Sequence, residues 1–201
     1  MNSHTESTVK SSLTTSLSYS EYLLHITALL NNGLVTGHEQ TKDLVHYTEL
    51  NEARLHRLDK TIQVINEVRQ FLDNLEKEYL WLVISEGWCG DAAQILPIIN
   101  KMAEASNKID FRIVLRDDNA ELMNLFLTNG TKSIPILIII DKQTNEVVNH
   151  FGPRPIAAKK LILDYKAEHG IVDETAKINL QKWYLTDKGV STQNEIIALM
   201  K

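Results

Sequence analysis

Hydrophobic and polar positions follow the period of an α-helix from Ser20 to about Glu78. Apolar residues recur three or four positions apart at Tyr22, Leu23, Ile26, Leu29 and Leu30. Ser20 is a candidate N-cap of this helix, and Asn32-Gly33 is its candidate end. A second helical pattern runs from Leu44 to Leu75, with a candidate break at residues 58–61. The whole segment is therefore predicted to be helical.

From Tyr79 the pattern changes to short apolar runs separated by helical stretches and turns. YLWLVI is apolar at every position, which is typical of a strand buried on both faces. The further predicted elements are a helix from Cys89 to about Ala105, the strand FRIVLRD, a short helix from Asp118 to Leu127, a hairpin of PILIIID and EVVNHF, and a helix over IAAKKLILDYKAEH between Pro155 and Gly170. The order β-α-β-α-β-β-α predicts an α/β domain with a mixed four-stranded sheet flanked by helices.

The two ends of the chain have different patterns. Residues 1–19 are rich in Ser and Thr and lack the apolar core of a signal peptide, so a flexible lead-in is predicted. A tail helix is expected around Ile178 to Leu185, and Thr192 with Glu195 has the spacing of a capping box for a last helix. The predicted division is a lead-in (1–19), a helical extension (20–61), an α/β domain (62–169) and a helical tail (170–201).

Composition narrows the classes of function. A net charge of −5 over 201 residues argues against a nucleic-acid partner, because phosphates are bound by clustered Lys and Arg. No apolar run approaches the roughly 20 residues that span a bilayer, so no membrane partner is expected. The single cysteine excludes an internal disulfide and fits a reducing compartment, the cytoplasm. The seven histidines are scattered and no phosphate-binding glycine loop is present, so neither a metal nor a cofactor is predicted.

The cysteine lies in SEGWCGDAAQILP, directly after the first predicted strand. Three landmarks accompany it: Pro97 eight residues after Cys89, Ile134-Pro135 before the hairpin, and Gly152 after the second hairpin strand. With these residues the region 62–169 resembles the thioredoxin family. The resemblance implies a thioredoxin-like fold and a cis peptide bond at Ile134-Pro135 beside the cysteine. It also implies a substrate groove formed by Trp88, Gly90, Asp91, Ile134, Pro135 and Gly152.

The departures from the family concern one step of its chemistry. Ala92 stands where thioredoxins carry the second, resolving cysteine. Val83 stands where they carry the buried Asp that takes the proton of that cysteine, and Ile113 aligns with the Lys that approaches this Asp. Because all three losses disable closure of an internal disulfide, the chain is not expected to be a dithiol reductase.

The extension carries the stretch YTELNEARLHRLDKT. It resembles the N-terminal helical extension of the Bacteroidetes-type thioredoxin family proteins. The resemblance implies that this extension accompanies a single-cysteine W-C-G-D-A site. An apolar stripe of Leu44, Tyr47, Leu55 and Leu58 predicts packing against the α/β domain or a second chain. A basic stripe of Arg54, His56, Arg57 and Lys60 is either a solvated helix face or part of a partner surface.

The position of Cys89 at a helix N-terminus predicts a lowered thiol pKa, because unpaired N–H groups and the helix dipole stabilise a thiolate. Asp91 opposes this effect through its charge, although it is also expected to cap the helix. Arg116, at the end of the second strand, and Arg154, after Gly152, are candidates for supporting the anion. The alternative is an inert, half-buried cysteine with solvated arginines around it.

Two functions from different classes follow. In the first, the protein is a monothiol oxidoreductase. Cys89 attacks a disulfide that contains glutathione or a protein cysteine, and an external thiol resolves the mixed disulfide. In the second, the protein is a non-catalytic module that binds a protein partner in the groove between Trp88, Pro135 and Gly152. An iron–sulfur cluster of the kind held by monothiol glutaredoxins is disfavoured, because Asp91 would place a negative charge beside an anionic cluster.

Overall fold

The structure, a computed structural model, describes residues 3–201 and contains one four-stranded sheet. Its strands are β1 (Tyr79–Ser85), β2 (Ile109–Leu115), β3 (Ile136–Asp141) and β4 (Val147–Phe151). Their order in space is β2-β1-β3-β4, with β1 parallel to β2 and antiparallel to β3. The apolar runs of β1 and β3 are buried at every position because both strands lie in the centre of the sheet. The predicted mixed sheet is confirmed.

Three helices connect or follow these strands: α5 (Ala92–Glu104), α6 (Ala120–Leu125) and α7 (Ile156–His169). α5 is almost entirely buried, and Ile95, Leu96, Ile99 and Met102 have no exposed surface. α7 ends as predicted at Gly170, whose positive φ of 79° is the left-handed conformation that favours glycine at a helix end.

The first part of the chain forms α1 (Ser3–Leu13), α2 (Tyr19–Leu30), α3 (Lys42–Thr61) and α4 (Asn66–Asp73). The expectation of a flexible lead-in over 1–19 is wrong for its described part, because α1 is a regular helix and Val9 is buried in the core. Leu17 exchanges two backbone hydrogen bonds with Ile113 of β2, at 2.7 and 2.8 Å. The cap of α2 is Ser18 rather than Ser20, in a complete capping box with Glu21.

The helical extension packs on the sheet domain. α3 lies against α5, and Leu55 of its apolar stripe is buried, whereas Tyr47 stays exposed at the surface. The chain leaves helical conformation at residues 62–65, just after the predicted break at 58–61. There the backbone N–H of Ile65 donates to the side chain of Gln193 from the C-terminal tail.

The tail forms α8 (Glu174–Asp187) and α9 (Val190–Ala198). The predicted capping box of Thr192 and Glu195 is wrong, since α9 already begins at Val190 after Gly189, and Thr192 is buried inside its first turn. Glu195 instead accepts the backbone N–H of Ile156 and so caps the start of α7. None of the helices in residues 3–201 is long and apolar enough to cross a membrane.

Candidate functional site

The W-C-G-D loop connects β1 to α5 and is held by backbone hydrogen bonds at both ends. Cys89 N–H donates to Glu86 O, and the Cys89 carbonyl accepts from Ala93 of α5. Asp91 is the N-cap of α5 by position, but its side chain caps no backbone N–H. The expected capping role of Asp91 is therefore wrong, because its carboxylate is engaged elsewhere.

The thiol of Cys89 is buried against the segment before β3. Only 8% of the residue is exposed, and its Sγ–H donates to the Ile134 carbonyl at 3.3 Å. The Ile134-Pro135 peptide bond is cis. The structure thus brings together Cys89, Ile134 and Pro135, which lie about 45 residues apart in the chain.

Burial and the Asp91 carboxylate raise the pKa of Cys89 to about 12. The backbone N–H groups of Ala92 and Asp91 and the charge of Arg154 act in the opposite direction, but they do not outweigh burial. The expectation of a lowered thiol pKa is therefore wrong for the resting protein. At pH 7 the thiol of Cys89 is therefore protonated to a greater extent than that of a free cysteine, whose pKa is about 8.5.

Asp91 is held by two partners from distant parts of the chain. Arg154 Nη2 lies 2.7 Å from Asp91 Oδ2, and the Tyr184 hydroxyl donates to Asp91 Oδ1 at 2.9 Å. Tyr184 is buried and belongs to α8, so the tail completes this network. Arg154 is within the site as expected, but its direct partner is the carboxylate rather than the thiol.

Arg116 contacts two other residues beside the W-C-G-D loop. Its Nε lies 2.8 Å from Asp117 Oδ1, and its guanidinium stacks 4.7 Å from the centre of the Trp88 ring. Support of a Cys89 thiolate by Arg116 stays a prediction, and the observed partners of its charge are Asp117 and the tryptophan ring.

The helical extension fixes the loop from the other side. Thr36 accepts the Gly87 N–H with its hydroxyl at 2.8 Å and the Trp88 indole N–H with its carbonyl at 3.1 Å. Asn51 of α3 donates to the Gly87 carbonyl at 3.0 Å and accepts from Arg54 at 2.8 Å. Sequence reasoning missed Asn51, although its position four residues before Leu55 places an amide on the apolar face of α3.

Gly152 approaches the segment at the cis proline. Its φ is +132°, and a Cβ at this position would lie 2.2 Å from the Pro135 carbonyl oxygen. Only glycine therefore allows the chain after β4 to pass this close to Pro135. The following residues carry Arg154 to Asp91, so Gly152 has a positioning effect on the site.

A large open cavity, which we call the α3–α8 groove, adjoins the loop. It has a volume of about 800 Å³ and lies between α3 and α8, with Trp88, Gly90 and Asp91 at one end. Its apolar lining includes Leu44, Tyr47, Leu50, Ile178, Leu180 and Leu185. Cys89 does not line it. In the described part of the chain, no cluster of three His, Cys, Asp or Glu side chains is arranged to hold a metal ion.

The profile of the family described as Thioredoxin matches residues 37–169, which is more than half of the chain. The chain belongs to the thioredoxin family. In this thioredoxin-family protein the match begins at Gly37, within the segment predicted as an extension, and so includes α3. A sequence comparison with curated proteins gives no match.

Two solved structures share the fold of this thioredoxin-family protein. One is a protein of unknown function, PA1234, from Pseudomonas aeruginosa, at 17% identity and a TM-score of 0.59, covering 92% of this chain and 97% of the other. The second is an HIV epitope-scaffold, at 17% identity and a TM-score of 0.55, covering 92% of this chain and 98% of the other. Because the coverage is nearly complete, the fold that is shared includes helices outside the sheet domain.

Proposed function

We propose that this thioredoxin-family protein is a binding module that takes its ligand beside the W-C-G-D loop, and that Cys89 is a structural thiol. The observation that carries this proposal is the separation of the thiol from the accessible space. Cys89 is buried with its proton donated to Ile134, whereas the α3–α8 groove opens onto Trp88, Gly90 and Asp91. The proposed setting is the cytoplasm, a reducing compartment, because the only cysteine is a free thiol.

The hydrogen bonds around the loop support a permanent binding surface. Thr36 and Asn51 hold Gly87 and Trp88, and Arg154 with Tyr184 holds Asp91. A preorganised surface binds without an entropic cost for ordering its own side chains. A nucleophile, in contrast, needs an accessible thiolate, and both the burial of Cys89 and the adjacent carboxylate oppose its formation.

The test is the pH dependence of Cys89 alkylation by iodoacetamide, followed by intact mass. Since the chain has one cysteine, Cys89→Ser gives the background directly. We expect a midpoint well above the free-cysteine value of about 8.5. Asp91→Asn should lower that midpoint, because the Asp91 carboxylate, together with burial, raises the pKa of the Cys89 thiol. A wild-type midpoint below the free value would overturn the proposal.

A second candidate function is monothiol thiol–disulfide exchange, favoured by the backbone N–H groups of Asp91 and Ala92 that stabilise negative charge on the sulfur. The Cys89 thiol would lose its proton to solvent, and its thiolate would attack a disulfide, form a mixed disulfide and release one thiolate. The thiolate of an external thiol such as glutathione would then attack the mixed disulfide. This attack releases the Cys89 thiolate and forms a new disulfide between the external thiol and the substrate sulfur. Incubation with oxidised glutathione at pH 7 would give one adduct per chain faster than a free thiol does if this function applies.

A further inference from the structure

The α3–α8 groove has the surface properties of a ligand site rather than of a solvated helix interface. Side chains from both helices expose large apolar areas into it: Leu185 is 62% exposed and Ile178 is 53% exposed. Tyr47 and Leu50 of α3 also remain exposed at the groove. Its volume of about 800 Å³ falls within the usual range of small-molecule pockets, about 300–1,000 Å³.

The charges around the groove are unbalanced. Its two acidic side chains are already paired, Asp91 with Arg154 and Glu174 with Lys177. Arg54, Arg57 and Lys182 also line it, and within residues 4–201 none of these three has an acidic side chain within ion-pair distance. The whole chain is acidic, with a net charge of −5, so this concave positive surface is a local feature.

The spacing of Arg54 and Arg57 also favours an anionic ligand. Arg54 and Arg57 lie one helical turn apart on α3, and burial lowers the pKa of Arg54, with a further contribution from the charge of Arg57. Like charges at this spacing repel each other. An anionic group between them would relieve the repulsion, and the apolar walls would strengthen its attraction to both.

We propose that the α3–α8 groove binds a small amphipathic anion, with an apolar chain along Leu50, Ile178 and Leu185 and a carboxylate at the cationic side chains of Arg54, Arg57 and Lys182. This inference rests on the proposed binding function and names the ligand class of that site. A nucleotide fits less well, because the lining is mainly apolar and no phosphate-binding loop adjoins it.

The test uses the full-length protein and dodecanoate below its micelle concentration, measured by isothermal titration calorimetry. We expect one site per chain and no binding of dodecyltrimethylammonium, which has the same chain and the opposite charge. Replacing Arg57 and Lys182 by Gln should weaken dodecanoate binding about tenfold or more, as for the loss of charged hydrogen bonds. The matched control replaces the exposed Lys159 and Lys166 of α7 by Gln and should leave binding unchanged.

Each outcome decides the inference. Absence of dodecanoate binding, equal binding of the cationic amphiphile, or binding by the Arg57→Gln, Lys182→Gln variant at wild-type strength would overturn it. Ligand binding should also change the fluorescence of Trp88, and Trp88→Phe should remove that change while the titration still reports binding. Failure of the ligand class leaves the Cys89 alkylation midpoint to decide the proposed function separately.

Discussion

The Tyr184 hydroxyl donates a 2.9 Å hydrogen bond to the Asp91 carboxylate, joining two residues 93 positions apart. Helix α8 of the tail thereby contacts the first residue after the W-C-G sequence. Together with Arg154 on the other oxygen, Tyr184 keeps Asp91 directed away from the backbone of α5. The tail is therefore part of the site, and its loss would alter the loop that carries the cysteine.

Tyr184→Phe should lower the free energy of unfolding by about 1.5–3 kcal/mol, because a buried hydrogen bond to a charged acceptor is lost. Tyr165→Phe is the matched control, since the Tyr165 hydroxyl also donates to an aspartate at 2.9 Å but is only half-buried. We expect the control to cost less than Tyr184→Phe, because the Tyr165 hydroxyl is more accessible to water. Urea unfolding of both variants measures the difference, and equal losses would contradict the role given to the tail.

Arg154→Gln should raise the alkylation midpoint of Cys89, because Arg154 is the cation that lowers the pKa of this thiol. Asp91 would lose its ion-pair partner, so the free energy of unfolding should also fall by about 1–3 kcal/mol for this partly exposed pair. Arg116→Gln is the control: it removes the same charge beside Trp88 and should leave the midpoint unchanged. A shift in the control instead would mean that Arg116 acts on the thiol.

Asn51→Ala should cost about 1–3 kcal/mol of stability, since the Gly87 carbonyl loses its side-chain donor and Arg54 loses its acceptor. The exposed Asn107 provides the control, for which substitution by Ala should change stability by less than about 0.5 kcal/mol. Thermal unfolding of the two variants distinguishes them. A neutral Asn51→Ala would show that α3 does not hold the loop through this amide.

Glu86→Gln should stabilise the protein at neutral pH. Burial raises the pKa of Glu86 above its ordinary value of 4.5, so the folded state binds more protons than the unfolded state just above that pH. The contribution of Glu86 to stability is therefore full below pH 4.5 and is lost as pH rises through the raised pKa. The glutamine variant should have a flatter pH profile of urea unfolding, and the exposed Glu76→Gln should reproduce the wild-type profile.

The strands and the central motif could be predicted from sequence because their signals are local. YLWLVI and PILIIID contain continuous apolar runs of strand length, which are typical of buried strands, and W-C-G-D with Ile134-Pro135 carries the family pattern. Local sequence patterns gave a wrong prediction where contacts between distant residues determine the helix boundary. Thr192 and Glu195 have capping-box spacing, yet Gly189 had already started the helix, and Glu195 caps α7 instead.

The chemistry of the site was less predictable, since it depends on residues brought from distant segments. Thr36, Asn51 and Tyr184 carry no motif. Thr36 lies in the segment between α2 and α3, Asn51 on α3 and Tyr184 on α8, and each reaches the loop only in the folded chain. The pKa of Cys89 is governed first by burial, which is a property of the folded core rather than of the sequence around the cysteine. The position of Cys89 at a helix N-terminus predicts a lowered thiol pKa, whereas burial in the surrounding core raises it.

The pairing of Leu17 with Ile113 has a consequence for how copies of this protein meet. β2 is an outer strand, and its backbone N–H and C=O at Ile113 are already used by the segment between α1 and α2. Without that segment these groups would be open to strand addition from another molecule, which is a common route to aggregation. The pairing of Leu17 therefore closes the outer edge of β2 at Ile113 to such strand addition.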